Sequence, residues 1–155
     1  MKRIRKFLFR FMLFNTLVWA VGQAITRSKT SGDLSADDLE LYTFWSGTEF
    51  VARSPSLRRV KARVLMGGHT VDLRDATPSE DGLDVDVSTL MAGTAVLVSK
   101  EWDVEVIEEK KSSNVEVRLD DLLDGSTDRP KVTIRLRTTY GGALVGHMLP
   151  AELAT

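Results

Sequence analysis

The chain has 155 residues, 43% of them hydrophobic and 28% charged, the balance of one folded domain with a short appendage, which excludes global disorder. It contains no cysteine, so disulfides, thiolate catalysis and cysteine-ligated zinc are excluded. The net charge of −1 conceals an asymmetry: residues 1–32 carry seven basic and no acidic side chains, leaving 14 basic and 22 acidic in the remainder, a net of −8 that argues against nucleic acid.

The basic N-terminus reads MKRIRKFLFRFMLFNTLVWAVGQAITRSK, and from Phe7 to Ile25 only Arg10 is charged. Nineteen helical residues reach roughly 28 Å, close to the hydrocarbon thickness of a bilayer. Residues 1–27 are therefore expected to form a membrane-anchoring helix that meets lipid through residues 7–25. Five positive charges precede the apolar run and two follow it. That bias predicts a single-pass protein with a cytoplasmic N-terminus and an extracytoplasmic body. Three other readings stay open: a signal peptide cleaved near Gly22-Gln23-Ala24, a buried core helix, and an in-plane anchor with Arg3, Lys6 and Arg10 on one face. Residues 28–38 read as a polar linker, residues 39–150 as a repeat-built β domain and residues 151–155 as a tail.

Within the β domain one pattern recurs. Leu39, Leu41, Thr43 and Trp45 precede Gly47; Val60, Ala62, Val64 and Met66 precede Gly68; Val85, Val87, Thr89 and Met91 precede Gly93; Ile134, Leu136, Thr138 and Tyr140 precede Gly142. Alternating apolar residues resume after each glycine, so each unit is a period-two strand, a break and a shorter strand. The glycines are 21, 25 and 49 residues apart, and a degenerate unit through Val104, Val106, Val115 and Val117 fits the last interval. Residues 120–131 then form an insertion. A period of 20–25 residues is one coil of a solenoid. The expected fold is all-β, a β-solenoid-like stack of short strands with Gly corners behind an N-terminal hydrophobic helix. An antiparallel β-sandwich, with the glycines as bulges, is the alternative. In the solenoid, Trp45, Met66, Met91 and Tyr140 would stack in a column inside or along the edge, and Thr43, Thr89 and Thr138 in a second, inward column.

Residues 44–106 carry the blocks FWSG, MGGHTVDLRDA, MAGTAVLV and EWDVEV. Their order resembles the C-terminal domain of LiaF-type membrane proteins, the cell-wall-active-antibiotics response family. The resemblance implies a membrane-attached β domain of the bacterial envelope that has no known catalytic residues and modulates an envelope-stress response.

Candidate chemistry is sparse. His69 follows a glycine corner and His147 takes an inward slot, an arrangement with too few ligands for a metal. Glu80, Asp81, Asp84 and Asp86 offer oxygen ligands for calcium, although Asp84 and Asp86 alternate with Val85 and Val87 and so read as a solvated strand face. Arg58, Arg59, Lys61 and Arg63 form the body's basic cluster, suited to phosphate or anionic lipid, or else to pairing across coils with Asp84 and Asp86. No Gly-x-Ser-x-Gly elbow is present. No catalytic, cofactor-binding or metal-binding residue is assigned, and no cofactor is expected. Two function classes remain: a tethered, non-enzymatic interaction or sensing domain with a protein partner, and a self-associating structural solenoid that stacks through open strand edges. Pro150 and the tail after it would cap the last coil.

Overall fold

The computed structural model describes residues 2–29, 33–119 and 128–148. Its elements are α1 (Lys2–Lys29), β1 (Asp38–Thr43), β2 (Ser46–Val51), β3 (Arg59–Val64), β4 (Gly67–Asp72), β5 (Leu83–Leu90), β6 (Ala92–Leu97), β7 (Asp103–Arg118) and β8 (Lys131–Gly146). Residues 120–127 of the expected insertion, and Pro150 with the tail, lie outside the described residues.

Every pairing between these strands is parallel, which removes the antiparallel sandwich. Each coil is a strand, a corner and a second strand. First strands stack with first and second with second, in the order β1-β3-β5-β8 and β2-β4-β6-β8, with β7 outside β8 along both of its halves. Side chains alternate in and out with the period of two. The inward columns therefore follow the repeat: Leu39, Val60, Val85 and Ile134 form one, and Leu41, Ala62, Val87 and Leu136 another, all buried. On the second side Val71, Val96 and Val145 are buried in register with half-buried Phe50. Backbone hydrogen bonds carry the stacking through the returning loops, as in Ala52 N to Asp72 O, Leu73 N to Leu97 O and Val98 N to Gly146 O.

The threonine column is inward: Thr43, Thr89 and Thr138 are buried, with Val64 at the same level of the second coil. The bulky column is not. Trp45, Met91 and Tyr140 are 55%, 58% and 77% exposed and hold φ of 50°, 54° and 52°. The corner thus places its left-handed residue at the bulky position, a conformation that costs a non-glycine roughly 1–2 kcal/mol. Only in the second coil does a glycine, Gly67 at φ 116°, take that role. The expected Gly corners are corrected here, since the recurrent glycines do not make the turn. A Cβ on Gly47, Gly68 or Gly93 would meet nothing within 4 Å, because each lies past the turn. Gly141 is the position that backbone packing demands: a Cβ there would lie 2.0 Å from the Ala92 carbonyl oxygen.

The largest departure from the sequence reading is coil order. The degenerate unit is a coil, β7, but the chain then returns and inserts β8 between it and β5–β6. Charge explains the exchange. The outward residues of β5 include Asp84 and Asp86, and those of β7 include Asp103, Glu105 and Glu109, whereas β8 presents Lys131, Arg135 and Arg137. Stacking β7 directly on β5 would oppose acid to acid, at roughly 0.2–1 kcal/mol per pair. Inserting β8 gives outward signs that alternate from coil to coil, with acidic β1, basic β3, acidic β5, basic β8 and acidic β7. Arg135–Asp84 at 3.0 Å is an exposed pair that the insertion makes, and Lys61–Glu40 at 3.6 Å and Arg58–Asp38 at 2.9 Å are exposed pairs between the first two coils. Such pairs are worth about 0–1 kcal/mol each, so they select the stacking partner more than they stabilise the stack. The pairing expected between Lys61 and Arg63 and the acids of the third coil is corrected: Lys61 meets Glu40, and Asp84 and Asp86 meet Arg135.

Residues 33–37, expected as plain linker, close one end of the stack. Leu34 and Ala36 pack against the core, and the Leu34 carbonyl accepts from Arg53 N. Helix α1 runs to Lys29 and approaches the β domain chiefly at β1. Among the described residues, no helix is long and apolar enough to cross a membrane.

Candidate functional site, a cationic groove on the outer face

A groove of about 470 Å³ lies outside the first side of the stack, across β3, β5 and β8, with Glu109 of β7 also lining it. Two outward rows build it. In one, Lys61, Asp86 and Arg135 are register partners; in the other, Arg63, Ser88 and Arg137. Adjacent strands lie about 4.8 Å apart, so the outer members of a row are separated by roughly 9.6 Å at the backbone.

The rows differ electrically. Asp86 lies within the first, 3.9 Å from the Arg135 guanidinium, which also bonds Asp84 at 3.0 Å, so that row is largely neutralised. The second has a hydroxyl where the first has a carboxylate. Arg63 stacks its guanidinium over Tyr42, 5.9 Å from the ring centre, and no acid lies within ion-pair distance of it among the described residues. Arg137 pairs with Glu109. Four cations and two acids line the groove, a local excess of positive charge on a body that is otherwise acidic.

Lys61 and Arg63 belong to the basic cluster seen in the sequence, while Arg58 and Arg59 line a neighbouring depression at the start of the strands. Ser88, Arg135, Arg137 and Glu109 lie outside the clusters that the sequence marks. The signal for two of them was present: Ser88 and Arg137, like Tyr42 and Arg63, each stand five residues before a recurrent glycine. Among the described residues no group of three potential metal-ligating side chains occurs, and Asp84 and Asp86 face Arg135.

Both histidines are buried in the core. His147 donates from Nδ1 to the Val98 carbonyl at 3.1 Å. His69 is 3% exposed, stacked on Phe50 at 4.9 Å, with Nδ1 2.8 Å from Thr43 Oγ1 and no partner for Nε2. Desolvation pushes its pKa down to about 4, so the ring is neutral at pH 7. At the far end of the coils Asp72 accepts from the backbone N–H, Nε and Nη2 of Arg74, whose Nη1 reaches the His147 carbonyl. Burial raises the Asp72 carboxyl, but the side-chain and backbone bonds and the charge of Arg74 outweigh it and hold the pKa below the usual carboxylate value.

No family model matches the chain, and no curated protein or solved structure matches it.

Proposed function

We propose that the protein is a membrane-attached, non-enzymatic interaction or sensing module of the bacterial envelope, in which the β domain acts as a unit of fixed length with a ligand- or partner-facing groove. The reading extends to modulation of an envelope-stress response on the strength of the LiaF-type resemblance alone. The observation that carries the module reading is the charge of the two terminal coils.

Both ends of the stack are acidic outward, with Asp38 and Glu40 on β1 and Asp103 and Glu105 on β7. Copies stacked end to end would oppose these acids, which disfavours the self-associating filament. Glu108 adds to this. Its register partner is Leu136, in the inward column of Leu41, Ala62 and Val87, yet it is exposed, and among the described residues no coil lies beyond it. A further coil would bury that carboxylate without a partner. Register shifts at Glu108/Lys110 and Ser112/Asn114 also break the free edge of β7.

Support for lipid contact comes from α1. Leu8, Phe9, Phe11, Met12, Leu13, Phe14 and Leu17 are all 58–70% exposed. Asn15 and Thr16 turn their side chains onto the Phe11 and Met12 carbonyls, as polar residues do where water is absent. Although no helix among the described residues is long and apolar enough to count as a span, the charge bias flanking the apolar run supports a proposed topology with the N-terminus in the cytoplasm and the β domain outside. A single cysteine at Asp81, exposed in the loop before β5, tests it in a chain with none of its own. Membrane-impermeant maleimide is expected to label the Asp81→Cys protein in intact cells; labelling only after lysis would overturn the exported half of the reading.

A further inference from the structure

We infer that the row of Arg63, Ser88 and Arg137 is a binding site for a small, soluble, phosphate-bearing ligand, with Glu109 as a built-in competitor for Arg137. The inference goes beyond the module reading and does not depend on how α1 meets the membrane.

Register puts two guanidiniums on either side of one hydroxyl, on three adjacent strands whose backbones are fixed by the ladder. Guanidiniums offer forked donors that match phosphate oxygens, and a serine adds a third donor between them. The strand spacing leaves room for one tetrahedral anion between the arginine tips, and the groove of about 470 Å³ leaves room for the small organic group that bears it. No side-chain hydrogen bond of Ser88 occurs among the described residues, and Arg63 makes only its contact with Tyr42 there, so two of the three recognition groups are unengaged.

Glu109 engages the third. It comes from β7, the coil outside β8, and sits beside the register shift that follows Glu108. An entering phosphate exchanges one carboxylate for a doubly charged oxyanion at Arg137. Removing Glu109 therefore strengthens binding, whereas removing Arg63 weakens it.

The occupant is a soluble ligand and not a lipid surface because of what surrounds the row. Glu40, Asp84 and Glu105 lie on the same outer face. A flat anionic bilayer pressed onto the groove would meet these acids together with the arginines, whereas a small ligand enters the row alone.

The test uses the full chain in a neutral detergent, with inorganic phosphate as the probe against sodium chloride at equal ionic strength, read by calorimetric titration and by thermal melting. Phosphate is expected to bind and to raise the melting temperature where chloride does not. Arg63→Gln should weaken binding about tenfold or more and Glu109→Gln should strengthen it several-fold, while Arg58→Gln, which loses only its partner Asp38, should bind as the parent does. Equal responses to phosphate and chloride, or unchanged binding in both groove variants, would overturn the assignment. So would an Arg63→Gln protein that keeps phosphate binding but loses sedimentation with phosphatidylglycerol vesicles, which would make the row a lipid contact. Melting of each variant without phosphate shows that the fold is intact before binding is compared.

Discussion

Acidification from pH 7 to pH 4 is expected to remove about 3 kcal/mol of folding stability through His69 alone. The ring is neutral in the folded state because burial pushes its pKa from 6.5 down to about 4. In the unfolded chain it takes up a proton as pH falls through 6.5, and the folded state does not follow until about 4. Over that window the unfolded state binds more protons, so stability falls with pH and levels off below it. His69→Phe, which keeps a ring on Phe50 and gives up the Thr43 bond, should flatten the slope between pH 6.5 and 4 while lowering stability at pH 7. Urea unfolding at half-unit pH steps on the two proteins measures the difference. An identical slope in both would mean that His69 is not the proton-linked group.

Arg74→Ala is expected to cost about 2–3 kcal/mol at pH 7, since it leaves the Asp72 carboxylate, with a side chain 10% exposed, without its paired cation. The loss has a second component, because Arg74 also reaches the His147 carbonyl two coils away. Asp72 has a depressed folded pKa, so its contribution is present above its ordinary value of 3.8 and fades as pH falls through the folded value. Parent and variant stabilities should therefore converge in acid, below the range in which His69 acts. Arg74→Lys should recover part of the loss, since a lysine keeps the charge but not the two-pronged geometry. Urea midpoints at pH 7 and pH 3 check both statements; a constant gap at the two pH values would point to packing and not to the ion pair.

Much of the fold was legible because the repeat is spelled out in two superposed periods, alternation within a strand and glycine spacing between coils. Parallel stacking, the inward threonines and the membership of every column in the four glycine-bearing coils follow from aligning Gly47, Gly68, Gly93 and Gly142. Two things did not follow. The corner's left-handed residue is Trp45, Met91 or Tyr140, and no local propensity points to a bulky side chain there. The place of β8 is set by charge complementarity between strands tens of residues apart, a long-range effect that neither period records. The groove stands between these cases. Arg63, Ser88 and Arg137 share an offset from their glycines, so the row could be read from the repeat, but Glu109 enters through the exchanged coil order and a register shift.

That coil order is what places Arg137 beside Ser88 and acid at the free edge, so both the groove and the acidic end depend on it. With no native cysteine, it can be tested by oxidising two double variants. Asp84 and Thr133 are register partners on β5 and β8, within reach of a disulfide, whereas Asp84 and Glu105 are two coils apart. The predicted result is rapid crosslinking of Asp84→Cys/Thr133→Cys and none in Asp84→Cys/Glu105→Cys. Crosslinking of the second pair and not the first would put β7 directly on β5, in chain order, and rule out the inserted β8.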